Sequence, residues 1–240
     1  VELDFNVSET QLGVIIPAFN PDILILEELL TRISVVLKNF KFKVMVIDDG
    51  STPPISLSNF IKDEIRILRH AQNSGKGTAL KRGFQYFIQD HPCDLVITLD
   101  ADLQHPPELI PNFIKRFKTG CGDVIIGYRR RLLFVMPVHR IISNTFTSLI
   151  VSSLIGQYVR DSQCGFRLIK TSILQQNKLS EHGFHLETEL LIKAGWQKIK
   201  IGFVPIPTIY NKEKSSINNL SDTLNFISLI LRLLKQRIFN

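Results

Sequence analysis

Cysteine is scarce in these 240 residues: there are three, Cys93, Cys121 and Cys164. The number is odd, and no two stand at metal-ligand or redox-pair spacing. That excludes a disulfide scaffold or a cysteine-bound zinc and fits a reducing compartment, with each cysteine a small core or loop residue. Long apolar runs are missing as well. A bilayer-spanning helix needs roughly 20 apolar residues, and the two longest candidates, 141–155 and 220–234, are interrupted by polar side chains. No signal-peptide pattern opens the chain. A start at Val1 rather than Met reads as a trimmed end, so this lack is a property of these residues alone. There is no Walker loop, no complete dinucleotide fingerprint and no calcium loop. Recognised nucleic-acid motifs are absent, so nucleic acid is not expected as a partner. The six histidines each lack a second ligand at a useful spacing and read as surface or internally satisfied side chains.

What is present is an ordinary globular composition, 44% hydrophobic and 21% charged, in a length that suits one sizeable domain. The net charge of +7 favours an anionic partner such as a nucleotide sugar, a lipid phosphate or a membrane surface. Buried-strand runs alternate with helical periodicity. Residues 12–16 and 43–47 are strands flanking a helix with Ile23, Leu26, Leu30, Ile33 and Leu37 on one face. Strands at 65–68, 95–99, 123–127 and 199–207 follow, with helices between. This predicts an α/β fold with a mostly parallel sheet and helices on both sides, whose ligands lie beyond the carboxyl ends of the strands.

Polar loops close those strands: Pro17-Ala18-Phe19-Asn20, Asp48-Asp49-Gly50-Ser51, and Asp100-Ala101-Asp102-Leu103-Gln104. If the third stays extended, Asp100, Asp102 and Gln104 point the same way. Two carboxylates and an amide oxygen suit Mg²⁺ or Mn²⁺ shared with a diphosphate, although Asp-x-Asp can also simply cap the helix begun by Pro107. Asp49 can accept hydrogen bonds from a base or ribose, or the loop can be a plain surface turn. Gly75-Lys76-Gly77 opens a helix whose backbone N–H groups can bind an anion. The run of three arginines beginning at Arg129 follows a strand expected beside the metal strand; it is either a phosphate clamp or a solvated run. In the segment 161–167, Gly165 permits a bend, Phe166 packs inward and Arg167 braces Asp161. Glu187 and Glu189 fall on different faces of a helix. The final helix, 220–239, carries Leu224, Ile227, Leu231, Leu234 and Ile238 on one side and a basic end. It is read as a cover for the domain or as an interfacial helix.

The run from Asp100 to Pro107, continued by Glu108-Leu109-Ile110-Pro111, closely resembles the metal segment of dolichyl-phosphate mannose synthase-like enzymes. These are glycosyltransferases of family 2 with the GT-A fold. The likeness extends over about residues 10–235. It implies a GT-A catalytic domain over 1–218 followed by a C-terminal amphipathic helix, 219–240. It implies a metal-dependent transfer of a hexose, with inversion, from GDP-mannose or UDP-glucose to a polyprenyl phosphate, at the cytoplasmic face of a membrane. A glycan or protein hydroxyl acceptor, and a nucleotide-sugar binder without catalysis, are the alternatives. On this resemblance, the metal ligands are Asp100, Asp102 and Gln104. Pro17, Ala18, Phe19, Asn20, Asp49, Lys76 and Ala101 face the nucleotide. Arg129, Arg140, Asn144, Asp161, Lys212 and Ser215 face the sugar or the acceptor, and Asp102, Arg129 and Glu187 form the catalytic set. The chain departs from the pattern at Pro21, where many relatives have Glu, and at Ser216, where relatives often have Lys.

Overall fold

The structure, a computed structural model, describes residues 10–57, 64–129, 136–209 and 219–239. Among these residues, seven strands form one sheet in the order β3-β2-β1-β4-β6-β5-β7. β1 (Gln11–Ala18), β2 (Lys41–Asp48), β3 (Ile65–Arg69) and β4 (Leu95–Thr98) lie parallel, as do β5 (Val124–Arg129) and β7 (Ile201–Ile206). β6 (Arg167–Lys170) runs antiparallel between β4 and β5. The predicted α/β class and mostly parallel sheet are therefore found.

One neighbour relation differs from expectation. The strand ending at Arg129 does not adjoin the Asp100 strand, because β6 is inserted between them. β6 has four residues, begins on a charged side chain and carries no long apolar run, so periodicity does not mark it.

The central strands are apolar on both faces because helices cover both sides. α1 (Ile23–Val36) is capped by Asp22, whose side chain accepts from the backbone N–H of Leu24 at 2.9 Å. The acid after Pro21 is thus a helix cap. α2 (Lys76–Gln85) lies so close to β1 that a Cβ on Gly83 would come 2.6 Å from Ile15, and one on Gly13 would meet the Phe87 ring. This contact fixes the height of Lys76 at the helix start. α3 (Ile110–Lys118), α4 (Val138–Ile155), α5 (Thr171–Gln176) and α6 (Leu186–Trp196) follow.

α7 (Asn219–Phe239) packs beside α6. The His185 and Phe226 rings meet at 6.2 Å, Arg237 lies over Trp196 at 4.8 Å, and Arg232 pairs with Glu181. Its inward face is Phe226, Leu229 and Leu233, while Leu224, Ile227, Leu231 and Ile238 are exposed. The expected apolar side therefore faces outward. Either set recurs at helical spacing, so the period alone does not choose between them. α4 also exposes a stripe, Val138, Ile142, Phe146 and Leu149. No described helix is long and apolar enough to cross a membrane.

Candidate functional site

The polar loops meet at the carboxyl ends of β1, β2, β4 and β5, with the loop before β6 and the start of α6 closing the group. β4 ends at Thr98 and the chain then turns, with Leu103 at φ +57°. A leucine in the left-handed region is uncommon and is held by its surroundings. The extended geometry that would align Asp100, Asp102 and Gln104 is therefore not adopted. Instead the backbone N–H of Gln104 donates to Asp102 Oδ1 at 3.0 Å, folding the loop around that carboxylate.

Lys76 reaches this loop from α2. Its Nζ lies 2.7 Å from Asp100 Oδ1 and 3.3 Å from Glu187 Oε2. Gly165 makes room for the contact, because a Cβ there would stand 2.8 Å from Asp100 Oδ2 and 3.0 Å from Lys76 Nζ. Space, rather than the expected bend, is what this glycine supplies. Thr98 Oγ1 holds the glycine in place by donating to its carbonyl at 2.7 Å. Burial works against the charge on Asp100, but Lys76, His105 and Arg129 together outweigh it and hold the carboxyl below the ordinary range. Burial and the neighbouring Asp100 charge both push Asp102 up. Burial opposes the ammonium of Lys76, yet Asp100 and Glu187 together raise its pKa.

His105, expected as a surface or internally satisfied side chain, is buried in this group. Its Nδ1 lies 3.6 Å from Asp100 Oδ2, and its ring sits against Phe166 with centroids 5.6 Å apart. Burial, reinforced by Arg129 and Lys76 and opposed by Asp100, pushes it down to about 4, so it is neutral at pH 7. A histidine between a strand and two prolines gives no spacing signal for such a place.

Several expected partners are exchanged. Arg167 does not brace Asp161. It is buried and donates to the carbonyls of Cys164, Ser162 and Glu187 at 2.9, 2.8 and 2.6 Å. That ties the 161–166 loop to the start of α6 and so positions Glu187. Asp161 instead accepts from Arg129 Nε and Nη2 at 2.9 and 3.2 Å, a forked pairing that aims the guanidinium. Glu187 and Glu189 do diverge. Glu189 is fully buried and is bonded by the Ser180 and Glu181 backbone and by Lys193, while Glu187 turns to Lys76 with Oε1 buried and unpartnered.

On the nucleotide side, Asn20 N–H donates to Ser51 Oγ at 2.9 Å, and Asn20 Oδ1 accepts from Thr52 N–H at 2.8 Å, which clips the first two loops together. Phe19 projects beside them, half exposed, with Pro17 and Ala18 at the end of β1. Asp49 is buried and already bonded to His70 and to the backbone of Ser74 and Gly75. Its carboxylate shapes the loop before Lys76 rather than standing open to a base. One N–H of the first turn of α2 is likewise occupied, since Thr78 N–H donates to the His182 carbonyl at 3.0 Å. The backbone anion site expected there is therefore partly taken by the protein itself, and Lys76 reaches the site through its side chain.

Arg140 and Asn144 lie one turn apart on α4, with Asn144 buried. Ala101 is half-buried between the two aspartates. Lys212 and Ser215 lie outside the described residues. A cleft of about 710 Å³ between α3 and β7, lined by Arg116, Tyr128, Arg160 and Lys200, contains none of the Asp100 group.

Among the described residues no three His, Cys, Asp or Glu side chains are gathered to hold an ion by themselves. Asp100 and Asp102 still fit one in part: a paired-carboxylate loop that already attracts a cation at Asp100, with an unpartnered buried Glu187 oxygen nearby. A hard divalent ion there would complete its shell from other oxygen donors, and a diphosphate is the natural source.

The sequence matches glycosyl transferase family 2 over residues 13–178. It is 28% identical over 204 residues to a dolichol-phosphate mannosyltransferase of Pyrococcus furiosus, a match covering 79% of this chain and 54% of that one. It is also 28% identical over 227 residues to a UDP-N-acetylglucosamine–dolichyl-phosphate N-acetylglucosaminyltransferase of Methanococcus voltae, covering 83% and 86%. In three dimensions it resembles the glucosyl-3-phosphoglycerate synthase of Mycobacterium tuberculosis solved with Mn²⁺, UDP-glucose and phosphoglyceric acid. The TM-score is 0.70 at 19% identity, covering 95% of this chain and 79% of that one, a likeness of fold.

Proposed function

Because the chain belongs to glycosyl transferase family 2, we propose that it moves a hexose, mannose or glucose, from GDP-mannose or UDP-glucose to a polyprenyl phosphate. It is a nucleotide-sugar-dependent glycosyltransferase with the GT-A fold. The names of the two archaeal relatives support a lipid-phosphate acceptor.

The observation that carries this reading is the pairing of the acids. Glu187 is matched by Lys76 and Asp161 by Arg129. A carboxylate paired with a cation is a poor base for a sugar or protein hydroxyl. A lipid phosphate is already an anionic nucleophile and needs no base. Asp100, Asp102 and Gln104 would hold Mg²⁺ or Mn²⁺, which when bound neutralises charge on the leaving diphosphate. Phe19 and the clipped 17–20 and 48–52 loops receive the nucleoside. Lys76 faces the diphosphate, and Asp161 aims Arg129 at the acceptor phosphate, with Arg140, Asn144, Lys212 and Ser215 as the further acceptor-side residues. Attack from the face opposite the leaving group inverts the anomeric centre. The exposed apolar stripes of α4 and α7 support a peripheral seat on a membrane.

A second reading, transfer to a hydroxyl, is favoured by the unpartnered Oε1 of Glu187, which can accept a proton or a hydroxyl hydrogen bond. The test is transfer from separately labelled GDP-mannose and UDP-glucose, with Mn²⁺ and a short polyprenyl phosphate, reading label in the organic phase. Label from one donor supports the proposal and names the sugar. Release of nucleoside diphosphate with no labelled lipid refutes the acceptor.

A further inference from the structure

Lys76 stands in the site in a way that the transfer reaction by itself does not explain. Its backbone is immobilised. A Cβ on Gly77 would come 2.6 Å from the Gly183 carbonyl, the adjoining Thr78 N–H is taken by His182, and Gly83 is pressed on Ile15. Only the long side chain is left to move. It ends 2.7 Å from one oxygen of Asp100, a carboxylate that the reading above assigns to the metal, and 3.3 Å from Glu187. An ammonium and a divalent cation compete for the same carboxylate, since each raises the cost of placing the other nearby.

The charges of the group must also balance. Asp100, Asp102 and Glu187 bring three carboxylates to the group and Lys76 one ammonium. A divalent ion brings this group to neutrality only while Lys76 remains part of it. A diphosphate arriving with the ion supplies new oxygens for the ammonium, so Lys76 can leave Asp100 without being stranded as a buried, unpaired charge. Glu187, with one oxygen paired to Lys76 and the other unpartnered, gives the side chain a pivot for that move.

We propose that Lys76 is an exchangeable counter-ion that holds Asp100 against the metal until metal and diphosphate arrive together. Lys76 thereby makes the binding of the two cooperative. The proposal rests on the metal–diphosphate reading of this site. It assigns Lys76 as a positioning residue whose opposition to the ion is relieved when nucleotide is present.

The test is Mn²⁺ binding to the full chain, read as loss of the free-ion electron paramagnetic resonance signal, with and without UDP or GDP. Without nucleotide, Lys76→Met should bind Mn²⁺ at least about 10-fold more tightly than the parent, and Lys76→Arg should match the parent. With nucleotide, Mn²⁺ affinity should rise at least about 10-fold in the parent and much less in Lys76→Met. A gain in affinity cannot come from misfolding. Unchanged or weaker Mn²⁺ binding by nucleotide-free Lys76→Met, while Asp102→Asn abolishes the signal change, overturns the counter-ion role alone. Mn²⁺ binding that survives Asp102→Asn overturns the metal site and the counter-ion role with it.

Discussion

Replacing His105 by Asn should remove a specific part of the protein's acid sensitivity. Burial disfavours the His105 imidazolium, Arg129 and Lys76 add repulsion, and Asp100 only partly offsets them, leaving the group at about 4 against an ordinary 6.5. The unfolded chain therefore binds a proton that the native protein refuses between those two values. Stability from this residue is complete above about pH 6.5 and is lost as the pH falls towards 4. Integrating the difference in bound protons gives a loss of about 2 kcal/mol between pH 7 and pH 5, rising towards about 3 kcal/mol at lower pH. In a chain of this size the first figure corresponds to a fall in Tm of about 4–8 °C. The assay is urea unfolding with a chelator present, at pH 7 and pH 5, for the parent and for His105→Asn. Other groups titrate in the same range, and Asp102, pushed upward, acts with the opposite sign. They are shared by both proteins and cancel in the comparison. The variant starts from its own stability at pH 7 but should lose about 2 kcal/mol less on going to pH 5. Parallel losses in the two proteins would refute the burial argument.

The other expectations concern the acids, the arginine and the glycine of the site. Asp102→Ala should cut turnover at least about 100-fold; retained turnover counts against the metal assignment. Gly165→Ala should cost about 1–3 kcal/mol and weaken donor binding, measured by calorimetry and donor KM, since its Cβ would press on Asp100 and Lys76. Glu189→Gln should destabilise by about 3 kcal/mol with kcat nearly unchanged, because it breaks a buried network. Glu187→Gln should do the reverse, and equal effects of the two on kcat would dissolve the distinction between them. Arg129→Lys should raise acceptor KM about 10-fold and leave donor KM nearly unchanged, since lysine cannot reproduce the fork on Asp161.

Most of the sheet was legible because its central strands are covered on both faces. Val14, Ile15, Ile16, Val44, Val46, Val96 and Ile97 are all buried, and continuous apolar runs of this kind end visibly where the polar loops begin. Brevity and charge concealed β6. Arg167 enters the core only because two carbonyl oxygens of the loop before it and one from the start of α6 surround its guanidinium, and that condition exists only in the folded chain. Which apolar face of α7 the domain covers is hidden for a different reason. Leu224, Ile227, Leu231 and Ile238 repeat as regularly as Phe226, Leu229 and Leu233, and the domain buries only one of the two sets.

The site divides along the same physical line. Residues whose chemistry acts at the end of a strand could be placed from the sequence, because topology delivers them: Asp100 and Asp102 after β4, Arg129 at the end of β5, Asn20 after β1. What could not be read is which charge answers which. A carboxylate next to a loop has the same appearance whether it waits for a ligand or supports the backbone. Asp49 supports the loop that leads to Lys76, and Lys76, so placed, reaches Asp100. Asp161 holds Arg129, and Arg167 holds the start of the helix that carries Glu187. Much of the conspicuous charge therefore serves to orient a few neighbours, and the groups left able to change partner are few. Lys76 is the clearest of these, with a fixed backbone, a movable ammonium and two carboxylates within reach. Substituting it should alter how ion and nucleotide depend on each other, whereas substituting Asp49 or Arg167 should first alter whether the loops hold their shape.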